Sequence, residues 1–246
     1  MPVYSNSRLN LYEECPRAYL YKYVEGVEVE EVRNVYAFLG SRVHETLELL
    51  HEDLKNGKKD SLDYLLNYYG HKWKKEWDSD VQVPDGDYSE ENFKEVGRKC
   101  IRSYYENHEP FDRTETVDTE LRLHPTVSAA GKEYTFLGFI DRLALASDGR
   151  YEIHDYKTSK NLPTKEDLEN DRQLILYQLG VQQDYPDADD VELVWHYVRF
   201  GKDIRISHSQ EDIEDLQEEL VDLIGEIERS REDDDFPTKR KDGARC

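Results

Sequence analysis

Apolar residues recur at helical spacing through the first half of the chain, then give way to alternation. Phe38, Val43, Leu47, Leu50 and Leu54 predict a helix over Ala37 to Asn56, closed by Asn56-Gly57. Leu62, Leu65, Leu66, Tyr69, Trp73 and Trp77 predict a second over Ser61 to Trp77, and Pro84-Asp85-Gly86 is a turn signal after it. Ser89 caps a third helix through His108, where Cys100 falls among the apolar positions and reads as a small buried residue. Upstream, Ser5 to Val24 reads as a helix broken at Cys15-Pro16, with Tyr19, Leu20 and Tyr23 on one face, and 25–34 as an acidic loop. After Pro110 the period becomes two. Thr114 to His124 predicts a strand with Val117, Thr119, Leu121 and Leu123 on one side and Thr116, Asp118, Glu120 and Arg122 on the other. Further on come a helix over Lys165 to Tyr185, strands over Val191 to Phe200 and Lys202 to Ser207, and an acidic amphipathic helix over Ser209 to Arg231. Strands interleaved with a helix imply an α/β fold with a mixed sheet under helical cover.

The segment Phe136 to Ser159 carries the chemistry. Two apolar runs flank Ser147-Asp148-Gly149-Arg150, the pattern of a β-hairpin. If the arms pair about that turn, Asp141 on one and Asp155 with Lys157 on the other converge at one end of the sheet. Two carboxylates held close repel unless a cation lies between them or one takes a proton. Hard oxygen ligands suit Mg2+ or Mn2+, and a lysine two residues beyond a ligand is placed to meet a phosphate or an activated water. An Asp-x-Lys on its own is more simply an ion pair on a solvated strand.

Composition narrows the classes. The 246 residues are 37% hydrophobic and 36% charged, with a formal net charge of −22. That balance repels nucleic acid unless salt screens it or cations gather locally. Eighteen tyrosines and three tryptophans supply core and exclude a disordered chain. Such an acidic folded surface is expected of a salt-adapted proteome. No run approaches the roughly 20 apolar residues of a membrane span, and MPVYSNSRLN has no signal-peptide pattern, so a cytoplasmic protein is expected. Cys15, Cys100 and Cys246 form neither a disulfide framework nor a local zinc pattern.

Several motifs then line up in order. Gly40-Ser41-Arg42-Val43-His44, with Glu48, resembles G-x-x-x-H; Gly138-Phe139-Ile140-Asp141-Arg142 resembles G-x-x-D-R; Ile153 to Thr158 resembles I-x-D-Y-K-T; and Gln173 to Tyr177 supplies Q-x-x-x-Y. Together they resemble the RecB-type branch of the PD-(D/E)XK nucleases. The resemblance implies a restriction-endonuclease-like core, with 1–112 a mainly helical region contributing His44, 113–208 the nuclease sheet and helix, and 209–246 an acidic helix and basic tail. It implies a DNA nuclease dependent on Mg2+ or Mn2+, with His44, Asp141, Asp155 and the Tyr156 carbonyl as metal ligands. Lys157 would position or deprotonate the attacking water, and Gln173 and Tyr177 would orient Lys157 or touch the DNA backbone. Glu120 belongs to none of these motifs; it reads first as a solvated strand face and second as an accessory acid.

Ser7 to Tyr19 is similar to the N-terminal segment of iron-sulfur members, in which Cys15 and Cys246 match two of four ligands of a [4Fe-4S] cluster. Two more cysteines are absent, so a cluster is expected only of a chain that continues past Cys246. The Cys-Pro-Arg segment is most similar to CRISPR-associated nucleases that process spacer precursors, then to helicase-linked repair nucleases. The implied partners are DNA, as single strands or duplex ends, with an integrase complex or a helicase. The competing reading is a non-catalytic DNA-end-binding or assembly module that keeps the fold.

Overall fold

The computed structural model describes residues 3–28, 33–84, 86, 88–164, 167–168 and 171–238. Its centre is a five-stranded sheet ordered β1-β4-β5-β6-β7. The strands are β1 (Thr114–Leu123), β4 (Gly138–Ala146), β5 (Tyr151–Lys157), β6 (Val191–Tyr197) and β7 (Lys202–Ile206). β1, β4 and β5 run antiparallel in turn, β5 and β6 are parallel, and β7 returns antiparallel. The mixed sheet predicted from the alternation of periods is therefore present. β5 lies at its middle with every residue but Lys157 buried, which explains the near-continuous apolar run of the I-x-D-Y-K-T segment.

The helices start on polar caps, Ser89 as predicted and Asn34 inside the stretch read as a loop. α1 (Asn6–Glu14) starts at Ser5, whose side chain accepts the Arg8 N–H, and Cys15 caps the short α2 (Pro16–Tyr19) through Sγ, with Pro16 at the first position. α3 (Val35–Lys55) starts at Asn34, α4 (Leu62–Glu76) at Ser61 and α5 (Glu90–His108) at a Ser89–Asn92 capping box. Their apolar stripes, with Leu47, Trp73 and Ile101, close over the Tyr156 and Val198 side of the sheet. α6 (Arg172–Asp184) covers the other face, packing Leu174, Tyr177 and Val181 against Ile140, Ile153 and Leu193. α7 (Gln210–Glu232) and α1 pack on the outer side of α6.

The elements differ from the sequence pattern in a few places. α6 runs from Arg172, capped by Asp171, which accepts the Gln173 N–H; of the stretch before it that the apolar pattern predicts as helical, 167–168 are helical and 165, 166, 169 and 170 lie outside the described residues. β6 stops at Tyr197, and 198–201 turn the chain into β7. A small hairpin of β2 (Thr126–Ala129) and β3 (Lys132–Thr135) precedes β4. Its strands are too short to show a period, yet Val127 and Tyr134 reach the core beneath α7. Tyr4 bonds to either side of Phe136, donating to the Thr135 carbonyl and accepting from Leu137 N–H, and so fixes the entry to β4.

Candidate active site

β4 and β5 pair from Leu145↔Tyr151 down to Arg142↔His154. The next step on each strand is Asp141 and Asp155, so the two carboxylates stand on either side of the opening where the hairpin ends. The convergence predicted from the turn is found. One Asp141 oxygen accepts the Tyr156 N–H at 2.7 Å, and the other faces His44 Nδ1 at 3.2 Å. His44 Nε2 lies 2.6 Å from the Tyr156 carbonyl. The histidine thus spans from α3 to both hairpin arms.

Both His44 nitrogens face oxygen atoms, an arrangement that favours the protonated ring. Burial opposes that charge, but the Asp141 hydrogen bond and the carboxylates of Asp141 and Asp155 outweigh it and raise the His44 pKa. Asp141 shifts the opposite way: burial works against its charge, and His44, the Tyr156 N–H and Lys157 overcome this. Asp155, 8% exposed, is pushed up by burial and by Asp141, with Lys157 pulling against them. Lys157 Nζ lies 2.7 Å from Asp155 Oδ2 and 4.7 Å from the centre of the Trp195 ring.

Glu120, which sequence parity put on a solvated face, is found beside the site. Donor atoms of His44, Glu120 and Asp141 all lie within 4.8 Å of one another. β1 takes an extra residue between Thr116 and Asp118, and Glu120 adopts a left-handed φ of 46°. Its carboxylate lies on the α3 side of the strand, the side that Asp118 also faces through Lys55. Glu120 is exposed, and its carboxyl is shifted up from the ordinary value by partial desolvation first and then by Asp141 and Glu48. Glu48, one turn beyond His44, is raised by burial and by Glu45 and Glu52. Four acids, Glu48, Glu120, Asp141 and Asp155, therefore stand in one neighbourhood. Oxygen donors with one imidazole fit Mg2+ or Mn2+, and Glu48, Glu120 and Asp155 are shifted up first by burial, with neighbouring carboxylates adding to it.

The motif glycines have geometric reasons. A Cβ on Gly138 would lie 2.8 Å from the Tyr177 ring, and one on Gly40 would lie 3.3 Å from Thr158 Oγ1. Gly138 lets α6 seat Tyr177 against β4, and Gly40 lets α3 approach the end of β5. Gln173 donates to the Tyr177 hydroxyl, whose pKa is pushed up to about 12 by burial first, with Asp155 and Asp141 adding to it. The pair lines a groove of about 410 Å³ that also contains Gly138 and half-exposed Phe139. Arg142 is a brace instead: buried, it donates to Thr116 and Thr114 on β1.

Cys15 is buried at the start of α2, on the side of the molecule formed by α1 and α7. Cys246 lies outside the described residues. Cys100 is buried in the helical core, and burial raises its thiol to about 11. A second set of metal-capable donors, His108, His196 and Asp203, joins the end of α5 to β6 and β7 and includes none of the motif residues.

A family model described as the PD-(D/E)XK nuclease superfamily matches residues 3–246. The crystal structure of a candidate exonuclease from Eubacterium rectale superposes with a TM-score of 0.53 at 10% identity, covering 98% of this chain and 85% of that one. The structure of the protein SSO0001 aligns with a TM-score of 0.34 at 16% identity, over 88% of this chain and 84% of its own. No curated protein matches the sequence.

Proposed function

The chain belongs to the PD-(D/E)XK nuclease superfamily, and from that premise we propose that it hydrolyses DNA phosphodiester bonds using Mg2+ or Mn2+. The supporting observation is that Asp141 and Asp155 face each other across the open end of one hairpin, with His44 bridging to the Tyr156 carbonyl. His44, Asp141, Asp155 and that carbonyl are the proposed metal ligands, with Glu120 as a further carboxylate. A divalent cation held there supplies a water of lowered pKa and offsets phosphate charge.

The chain's own groups do the rest. The Trp195 ring and the Asp155 carboxylate hold the Lys157 ammonium at the site. From there it donates to a non-bridging phosphate oxygen and stabilises the charge that grows on it as water attacks. Gln173 donates to the Tyr177 oxygen, which leaves the phenolic proton to donate to a phosphate on the groove side. Metal binding through His44 requires the ring to release a proton. A module that only held DNA ends would gain nothing from four acids that repel phosphate, which argues against the non-catalytic reading.

The expected substrate is single-stranded DNA or a duplex end. The Cys15-Pro16-Arg17 segment favours processing of spacer precursors with an integrase complex over repair with a helicase. In the test, purified protein with Mn2+ degrades end-labelled single-stranded DNA and a chelator stops it. Asp155→Asn and Lys157→Ala each slow cleavage by about a hundredfold or more without lowering the melting temperature. Full activity in both variants would remove the assignment.

A further inference from the structure

In a chain of net charge −22, any affinity for a phosphate backbone has to come from cations gathered in one place. One surface pocket of about 490 Å³ gathers Lys99, Lys160 and Arg199 around the rings of Tyr36, Tyr88 and Phe93. Its one acid, Glu95, faces Arg98 at 3.6 Å. Among the described residues no carboxylate lies within ion-pair distance of Lys99, Lys160 or Arg199, whereas Lys94 and Arg98, on the same helix as Lys99, both face glutamates. The rings are arranged for contact. Tyr36 is 45% exposed and Tyr88 69%, and each meets the buried Phe93, Tyr36 edge-on at 5.2 Å and Tyr88 at a 60° tilt at 6.2 Å. Lys160 Nζ sits 6.0 Å from the centre of the Tyr36 ring.

The pocket is connected to the candidate active site by two elements. Along α3, Tyr36, Gly40 and His44 follow at four-residue intervals on one face, so the pocket lies about 12 Å from His44 along the helix axis. On the sheet side, Lys160 follows three residues after Lys157, and Arg199 follows Val198, whose N–H bonds the Lys157 carbonyl at 3.2 Å. Midway, a Cβ on Gly40 would lie 3.3 Å from Thr158 Oγ1, so the two elements approach closely there.

We propose that this pocket holds the single-stranded stretch of the DNA substrate next to the scissile phosphate, with Lys99, Lys160 and Arg199 on phosphates and Tyr36 and Tyr88 stacked on unpaired bases. This rests on the nuclease reading for its substrate and deepens it: a base paired within a duplex cannot offer its face to Tyr88, so the pocket selects unpaired strands. Cation and aromatic contributions separate in the usual way for such surfaces, the first giving salt dependence and the second affinity at any salt.

The test is binding of 5′-fluorescein-dT20, read by anisotropy in EDTA from 50 to 200 mM NaCl, so that nothing is cleaved. Replacing Lys99, Lys160 and Arg199 together by alanine is expected to reduce the slope of log K against log salt by about two, at roughly 0.7 per phosphate contact. Tyr88→Ala, at a ring that is mostly exposed and carries little of the core, is expected to weaken binding at least about fivefold with the slope unchanged. A fully paired duplex of the same length should be indifferent to Tyr88→Ala. An unaltered slope in the triple variant, or equal loss on duplex and single strand in Tyr88→Ala, overturns the proposal. Cleavage separates the two readings. Wild type that binds through the pocket but cuts nothing with Mn2+ leaves the pocket standing and removes the nuclease. Wild type that cuts while the triple variant keeps its slope does the reverse.

Discussion

Glu120 stands in a backbone conformation that costs a non-glycine residue about 1–2 kcal/mol, and it does so beside His44 and Asp141. Strain of this kind persists where the surroundings impose it and often where function uses it. Asn occupies the left-handed region far more readily than Glu and carries no charge. Glu120→Asn is therefore expected to raise the melting temperature by a degree or more while increasing the Mn2+ needed for half-maximal cleavage by about tenfold. Thermal melts and a metal titration of the same protein check both halves, and a lower melting temperature with unaltered metal demand contradicts the assignment. The residue also shows where the sequence stops being legible. His44, Asp141, Asp155 and Lys157 sit at fixed spacings inside motifs and could be named in advance. Glu120 belongs to no motif: alternation places it correctly, on the exposed side of β1 with Asp118 and away from Val117 and Leu121, but its nearness to His44 comes only from the packing of α3 on the sheet.

At the scale of elements, the hairpin was legible because its turn residues and its two apolar runs are local, and the turn fixes the register that brings Asp141 opposite Asp155. β2 and β3 were not legible, since four residues of each strand are too few to establish a period. Neither was the imidazole layer on the helical side of the sheet. There His51 donates to or accepts from Tyr104 at 2.8 Å, His154 Nδ1 faces His196 Nε2 at 2.8 Å, and His196 Nδ1 faces Asp203 at 2.8 Å. Burial holds His51, His154 and His196 below the ordinary histidine pKa of 6.5. Asp203 is also held low: burial opposes its charge, but hydrogen bonds from His108 and His196 prevail. The signs agree. Below about pH 6.5 the unfolded chain takes up protons on histidines that the folded chain keeps neutral. Stability is thus full above that value and falls as pH drops through it, with Asp203 adding a second loss at lower pH as the unfolded carboxylate protonates near its ordinary value. Melting temperatures between pH 7.5 and 5 are expected to fall steadily, and less so in His51→Gln if that ring is one of the sources. A profile flat to pH 5 refutes this.

Across the whole molecule, the acidic surface was legible from composition alone, but its consequence for DNA depends on where the few free cations lie, which only the fold reveals. Asp and Glu number 55 against 33 Lys and Arg, and α7 alone presents a run of outward acids along its solvent side. At 0.1 M salt the Debye length is about 10 Å and these charges repel across the surface; at 1 M it is about 3 Å and they do not. The melting temperature is expected to climb by several degrees between 0.1 and 1 M KCl if the salt-adapted reading holds. DNA binding is expected to move the other way over the same range, because each phosphate contact is weakened as salt rises. The two trends make a test stronger than either alone. Cleavage of a fixed DNA concentration at 25 °C should decline with salt, while the half-life of activity at a temperature near melting should lengthen. A melting temperature indifferent to KCl would mean that the negative charges are already neutralised by their neighbours, and the salt-adapted reading would fall with it.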